Sequence, residues 1–301
     1  MSDLKFQAAR PRRSVLYMPG SNARALEKGR SLAADALILD LEDAVAPDAK
    51  AMGREQIASA LTEGGYGHRE LVVRVNGLDS SWGEDDLRAM AHVGADAILL
   101  PKVETRQMIE DAIAVLDDAG GPTNLTLWCM METPLGMLNA KDIAFAHERV
   151  GCLVLGTSDL AKDLHALHTP DRMPFMASLE LCILAARAAG IAVLDGVHLD
   201  LNDDDGFRAS CEQGRALGMD GKTLIHPKTI AAANDVFAPG ADEIAWSRRI
   251  IDAHAEAEAE GQGVLLVDGK LVENLHVDAA KRLVALADVI ADMAGDASQA
   301  A

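Results

Sequence analysis

Carboxylate side chains stand just after apolar segments at two places in this sequence. Glu132 follows the largely apolar stretch 125–131, and three residues separate Asp159 from the apolar stretch 152–155. A buried carboxylate without a partner costs several kcal/mol of folding free energy. Glu132 is therefore either a surface residue at a strand end or the partner of a cation.

Two carboxylates at neighbouring strand ends, with no His or Cys pair beside them, suit a hard cation with oxygen ligands. Mg²⁺ uses one or two carboxylates and leaves its other positions to water or substrate. We therefore predict a Mg²⁺ site at Glu132 and Asp159, with Mn²⁺ as a substitute. The alternative is that Lys102 or Arg74 neutralises these acids without a metal.

Arg74 ends a third apolar segment, LVVR at 71–74. Its planar guanidinium could clamp a substrate carboxylate through two parallel hydrogen bonds. The alternative is a structural ion pair with the acids Asp40, Glu42 and Asp43. The two roles are compatible, because neighbouring acids could orient the guanidinium. We take Arg74 and Asp43 as catalytic candidates.

Other residues that could perform chemistry lack the required context. His198 and His226 have no Cys or Asp at a zinc-ligand spacing, so both are interpreted as hydrogen-bonded packing histidines. Ser158 lies in GTSDL, which lacks the GxSxG pattern of serine hydrolases.

Short apolar segments alternate with longer helical patterns along the chain. Nearly continuous apolar segments are typical of parallel strands that are covered on both faces. Eight such units predict an α/β fold, a (β/α)8 TIM barrel with the active site at the C-terminal strand ends. A doubly wound sheet is the alternative, but no Gly-rich dinucleotide motif follows the first strand. The predicted strands lie within 14–19, 36–43, 71–76, 97–104, 125–133, 152–160, 191–200 and 221–227.

The remainder predicts a C-terminal helix–hairpin–helix extension. Helices are expected near 228–237, 241–260 and 277–293. Asp268-Gly269 between apolar segments is a type I′ hairpin signal. We thus expect a barrel over 1–227 and an extension over 228–301 that contributes to a neighbouring subunit's active site.

Composition narrows the function classes. The formal charge is −19, from 28 basic and 47 acidic residues, which disfavours nucleic-acid binding. A few arginines can still line one local pocket that binds an anionic ligand. Four dispersed cysteines indicate reduced thiols, and neither a signal peptide nor a membrane span is evident. We expect a soluble, cytoplasmic protein without membrane partners.

Several long motifs together resemble one family, the CoA-ester lyases related to the citrate lyase β subunit and malyl-CoA lyase. They appear in the family's order and cover nearly the whole chain. The matching segments are RRSVLYMPGSNARALEK (12–28), DALILDLEDAVAPDAK (35–50), LVVRVNG (71–77), LLPKVE (99–104), METPLG (131–136), LGTSDL (155–160) and GKTLIHP (221–227).

The resemblance implies a TIM barrel, Mg²⁺ dependence and a homotrimer or homohexamer. Its small-molecule partners would be a CoA thioester and a 2-oxo acid. Glu132 and Asp159 resemble the Mg²⁺ ligands, and Arg74 resembles the residue that binds the keto acid and steadies oxyanion charge. The positions that would lie near the CoA are Tyr17, Pro19, Arg24, Lys28, Ile225 and Pro227.

One departure from the family lies in the extension. The family's hairpin carries an Asp that serves as catalytic acid/base in a neighbouring subunit, whereas alignment on Asp268-Gly269 puts Glu273 there. A carboxylate is kept with one extra methylene, and a misplacement of about 1 Å can cost about 100-fold in rate. Glu273 is therefore a catalytic candidate, or simply a surface acid of the hairpin.

The activity implied by the resemblance is reversible Claisen-type cleavage of a β-hydroxyacyl-CoA. Malyl-CoA would give glyoxylate and acetyl-CoA, and citramalyl-CoA would give pyruvate and acetyl-CoA. The alternatives are a malyl-CoA thioesterase on the same scaffold, a citrate lyase β subunit acting on a carrier-protein thioester, and a catalytically silent CoA-binding protein.

Overall fold

The computed structural model describes residues 10–259 and 265–299. The chain divides into two compact units, one formed by Arg12–Phe237 and the other containing the residues from Ala238 onward. No helix among the described residues has the length and apolar character needed to cross a lipid bilayer.

The first unit is a closed barrel of eight parallel strands in sequential order. Because β1 also pairs with β8, the sheet has no edge, and the doubly wound alternative is wrong. All eight predicted strands are confirmed, although most end before the predicted segments do. The strands are β1 Ser14–Pro19, β2 Ala36–Asp40, β3 Glu70–Arg74, β4 Ala97–Leu100, β5 Thr126–Met131, β6 Val150–Leu155, β7 Ala192–Asp195 and β8 Gly221–Leu224.

Helices follow every strand. The connections after β5 and β6 each contain two helices, the first of which lies next to the strand end. The helices are α1 Ala23–Gly29, α2 Lys50–Glu63, α3 Gly83–Met90, α4 Arg106–Asp118, α5 Pro134–Leu138, α6 Ala140–Ala144, α7 Thr157–Leu164, α8 Met176–Ala189, α9 Asp204–Leu217 and α10 Ile230–Phe237.

Alternation along the strands creates two apolar cores. Outward side chains pack against the helices, and inward side chains fill the barrel around Trp128. Trp128 fits because small residues, Ala36 and Ala97, belong to the same inner cluster. Since strand side chains alternate with a period of two, Asp40, Arg74 and Glu132 continue the inward rows above this layer.

The C-terminal unit has its own small core. It contains α11 Ala241–Ala259, the antiparallel hairpin β9 Leu265–Val267 and β10 Lys270–Val272, and α12 Asn274–Gln299. Asp268 and Gly269 have φ values of +48° and +76°, as the predicted type I′ turn requires. Helix α10, predicted as part of the extension, contacts β1, β8 and α9, so the compact barrel unit runs to Phe237 rather than to 227.

Candidate active site

Arg74 stands at the C-terminal end of β3 and is held by acids from the β2 side. Its Nε donates to Asp40 Oδ1 at 2.7 Å, and its Nη2 donates to Asp40 Oδ2 at 2.6 Å. Nη1 lies 2.9 Å from Glu42 Oε2 and 3.6 Å from Asp43 Oδ2. The Tyr17 ring lies under the guanidinium, 4.9 Å from its centre. The orienting acids expected from the sequence are therefore present.

The electrostatics of this cluster favour a charged arginine. Burial opposes the charge, but hydrogen bonds to Asp40 and the charge of that carboxylate outweigh it and raise the pKa of Arg74. Burial also opposes ionisation of Glu42, yet Arg74 and Lys102 lower the pKa of that carboxyl overall. The guanidinium has five N–H donors, so Asp40 leaves some of them for other acceptors.

Glu132 directly follows β5 and is 2 % exposed. Its Oε1 accepts the backbone N–H of Lys102 at 2.9 Å. Burial, with a smaller contribution from Asp159, raises the pKa of Glu132 to about 7, despite the opposing Lys102 and Arg74. The carboxylate lies against Gly156, where a Cβ would come within 2.5 Å of Glu132 Oε2. A side chain at 156 would thus occupy the space that this oxygen needs.

Asp159 lies in the first turn of α7, not at the end of β6, and it is half-buried. It is close enough to raise the pKa of Glu132. Among the described residues no cluster of three or more metal-binding side chains occurs. Glu132 nevertheless fits Mg²⁺, which needs few protein ligands, because it is a buried carboxylate near a second acid and only its Oε1 accepts a hydrogen bond from the described residues.

Lys50 is a residue of this region that the sequence did not single out. It is buried, and its Nζ donates to the backbone oxygens of Leu41 and Glu42 and to Asn76 Oδ1, all within 2.8 Å. Burial lowers its pKa. Its position within DLEDAVAPDAK was the available signal, since a lysine so near an acid cluster can become its counter-ion.

A cleft of about 540 Å³ opens beside Glu42 and Asp43. Its walls come from the loops after β2, β3 and β4, and it includes Asp43, Lys50, Trp82 and Lys102. Glu42, which contacts Arg74, lines this cleft, whereas Arg74 and Glu132 do not.

The predicted CoA contacts remain predictions. Tyr17 forms the floor beneath Arg74, and its hydroxyl contacts Met130 Sδ at 3.4 Å. Pro19 ends β1 half-buried, whereas Arg24 and Lys28 are exposed on α1. Ile225 is exposed after β8, and Pro227 opens a short 3₁₀ turn.

Asp43 and Glu273 are the two predicted catalytic acids, and neither belongs to the inward row formed by Asp40, Arg74 and Glu132. The Asp43 side chain is 64 % exposed, and the partial burial of its carboxyl, followed by the charge of Glu42, raises its pKa. Glu273 is exposed between β10 and α12, where its backbone N–H donates to His276 Nδ1 at 3.0 Å. Its catalytic role stays a prediction.

Asp195 is the last residue of β7, but its side chain does not face the interior of the barrel. Its side chain turns outward, where it accepts from Lys222 Nζ at 2.8 Å and from Arg172 Nη1 at 2.6 Å. Leu194 takes the inward position instead.

The predicted role as hydrogen-bonded packing histidines is met only in part. His226 is exposed, whereas His198 is half-buried and its Nε2 has no hydrogen-bond partner among the described residues. His226 Nδ1 accepts the Lys228 N–H at 3.1 Å, and His198 packs edge-on against Phe207. The four cysteines are free and buried.

Comparisons with known proteins agree with this architecture. The chain is 53% identical over 283 residues to a (3S)-malyl-CoA thioesterase of Cereibacter sphaeroides, covering 94% of this chain and 97% of that protein. It is 36% identical to the citrate lyase subunit beta of Escherichia coli, covering 96% and 97% of the two chains.

A solved structure gives the same result for the fold. The CitE protein of Mycobacterium tuberculosis, in complex with magnesium, acetoacetate and coenzyme A, superposes with a TM-score of 0.74 at 26% identity. The match covers 93% of this chain and 99% of that one. Residues 13–227 match the model of the HpcH/HpaI aldolase/citrate lyase family. The chain therefore belongs to the HpcH/HpaI aldolase/citrate lyase family.

Proposed function

We propose that this protein is a Mg²⁺-dependent enzyme that cleaves a β-hydroxyacyl-CoA such as (3S)-malyl-CoA to a 2-oxo acid and acetyl-CoA. The observation that carries the proposal is the arrangement of Arg74, fixed by Asp40, beside the buried carboxylate of Glu132. A hydroxy acid offers a carboxylate and an adjacent hydroxyl, which an arginine and a cation can hold together.

Glu132 and Asp159 would hold the metal ion, which when bound supplies a Lewis acid and a template for the substrate's oxygens. Arg74 would stabilise the negative charge that develops on the substrate hydroxyl oxygen. Asp40 makes this arginine effective, because two hydrogen bonds fix the guanidinium plane before the substrate arrives.

Cleavage also requires two proton transfers. The hydroxyl loses its proton as the bond to the neighbouring CH₂ breaks, and the electron pair of that bond passes to the acetyl-CoA enolate. Asp43, whose pKa burial raises, is the proposed acceptor of the hydroxyl proton. Glu273 of a neighbouring subunit is the proposed donor to the enolate carbon.

Thioester hydrolysis is the second candidate, and it uses the same substrate. The relatives at 53% identity are (3S)-malyl-CoA thioesterases, which favours this reaction. In it water adds to the thioester carbonyl, the CoA thiolate leaves, and malate keeps its carbon skeleton. The extra methylene of Glu273 gives a concrete difference from the Asp of the lyases.

Product analysis separates the two reactions. The purified protein is incubated with Mg²⁺ and (3S)-malyl-CoA or citramalyl-CoA, with and without EDTA. A 2-oxo acid with acetyl-CoA, lost on chelation, supports cleavage, whereas free CoA with intact hydroxy acid moves the assignment to hydrolysis. Absence of both products overturns the proposal. Glu273→Gln tests the acid/base role, which fails if the variant is as active as wild type.

A further inference from the structure

Lys102 contacts two carboxylates that serve different parts of the proposed site. Its backbone N–H donates to Glu132 Oε1 at 2.9 Å, and its Nζ donates to Glu42 Oε1 at 2.9 Å. We propose that Lys102 is a positioning residue, whose ammonium holds Glu42 so that Arg74 stays available to the carboxylate of a 2-oxo or hydroxy acid. This inference rests on the proposed function.

The backbone of Lys102 is fixed in an unusual conformation. Its φ of +47° lies in the left-handed region, which disfavours residues other than glycine. The next residue, Val103, donates its N–H to Met130 O at 3.1 Å, and its own oxygen lies where a Cβ on Gly136 would come within 2.5 Å. The loop after β4 is therefore anchored to β5 and to the start of α5.

A glycine would satisfy this backbone conformation without steric cost. The lysine side chain accordingly needs a separate reason, and its contact with Glu42 supplies one. Lys102 is half-exposed, whereas Glu42 is 13% exposed, so the ammonium reaches from the cleft to an inner carboxylate.

Glu42 is shared between two cations. One oxygen meets Lys102, while the other lies 2.9 Å from Arg74 Nη1 and accepts the Asp43 N–H at 3.0 Å. A substrate carboxylate that binds Arg74 competes with Glu42 for the same charge. Without the ammonium, Glu42 would carry its full charge toward Arg74 and repel the incoming anion.

The test measures the dissociation constant of glyoxylate in the presence of Mg²⁺ by calorimetry. Lys102→Met should weaken binding about 10-fold, because a charge-assisted contact is lost at a partly exposed site. Lys102→Gly should weaken it equally while keeping the backbone donor to Glu132, and Lys102→Arg should restore it to within about 3-fold of wild type. Lys141→Met, which removes a positive charge from the exposed surface of α6, is the matched control and should bind normally.

Glu42→Gln shows whether Lys102 acts through Glu42. In that background Lys102→Met should change glyoxylate affinity by less than about 2-fold, since the competing charge is already gone. An equal loss in both backgrounds would mean direct ligand contact and overturn the inference. The inference is also overturned if Lys102→Met binds glyoxylate with wild-type affinity, or if the wild type binds no glyoxylate.

Turnover of (3S)-malyl-CoA is measured separately and decides the proposed function. If the wild type binds glyoxylate but yields neither set of products, the proposed function fails while the role of Lys102 is still decided by the binding series. If turnover is normal and the Lys102 variants bind glyoxylate as tightly as wild type, the role of Lys102 fails while the proposed function stands.

Discussion

The two ends of the barrel each hold an arginine in the same way. At the N-terminal end, Arg12 donates to both oxygens of Glu70 at 2.6 and 2.7 Å and lies over Trp128, 5.0 Å from the ring. At the C-terminal end, Arg74 donates to both oxygens of Asp40 at 2.7 and 2.6 Å and lies over Tyr17. The local geometry alone does not separate a structural pair from a functional one.

The ends differ in charge balance. The pair at the N-terminal end is joined by a second bidentate pair, Arg13 with Asp35, so these two arginines are each matched by an acid. Among the residues described above for the candidate site at the C-terminal end, five are acids and three are cations. The acids are Asp40, Glu42, Asp43, Glu132 and Asp159, and the cations are Lys50, Arg74 and Lys102. Matched charges at one end need no further ion, whereas an excess of acids around the buried Glu132 favours a cation from outside.

Glu132→Gln should give the largest change. We expect kcat/KM to fall about 1000-fold, since a buried acid that fits a metal ligand is lost. Thermal stability should stay equal or rise, because an amide is buried more easily than an uncompensated carboxylate. Steady-state kinetics and a thermal melt check this, and unchanged Mg²⁺ dependence and rate would remove Glu132 from the metal site.

Arg74→Lys should cost about 100-fold in kcat/KM, because an ammonium cannot reproduce two parallel hydrogen bonds to Asp40. The matched variant at the other end is Arg12→Lys. It should change kcat/KM by less than about 2-fold, and its effect should fall on stability. Equal kinetic losses in both variants would show that the two ends do not differ as proposed.

Glu70→Gln should destabilise the fold by about 2 kcal/mol, since it leaves the charge of Arg12 poorly compensated at a largely buried site. Chemical denaturation measures this change. The kcat of the folded fraction should match wild type. A selective loss of kcat would contradict a purely structural role for this end.

Mg²⁺ should stabilise the protein by about 1.4 kcal/mol at ten times its dissociation constant, through preferential binding to the folded state. Glu70→Gln should keep this stabilisation and Glu132→Gln should lose it. Melts with Mg²⁺ and with EDTA measure both, and stabilisation that survives Glu132→Gln would place the cation elsewhere.

Much of the fold followed from the sequence because its signals are local. Nearly continuous apolar segments predicted every strand, and Asp268-Gly269 predicted the hairpin turn. Segment ends were less accurate. The segment 36–43 ends as a strand at Asp40, since the acids beyond it turn into the loop and hydrogen-bond there.

The candidate site was predictable where its residues continue the inward-facing positions of the strands. Asp40, Arg74 and Glu132 follow inward positions on their strands, so residue types and spacing were enough to place them at one end of the barrel. The same rule places Asp195 on the outer face of its strand, because Leu194 points inward. Lys50 escaped notice because burial of a lysine depends on acceptors distant in sequence, such as Asn76.

The sequence by itself determined the strand–helix order, the surplus of acid at the strand ends and the family resemblance, since these depend on residue type and short spacing. Only the tertiary structure decided which acids are compensated. The left-handed backbone at Lys102, the space left by Gly156 and the pairing of Arg74 with Asp40 all arise where neighbouring strands meet. Compensation of a buried charge depends on distances across the barrel, and those distances exist only after the sheet has closed.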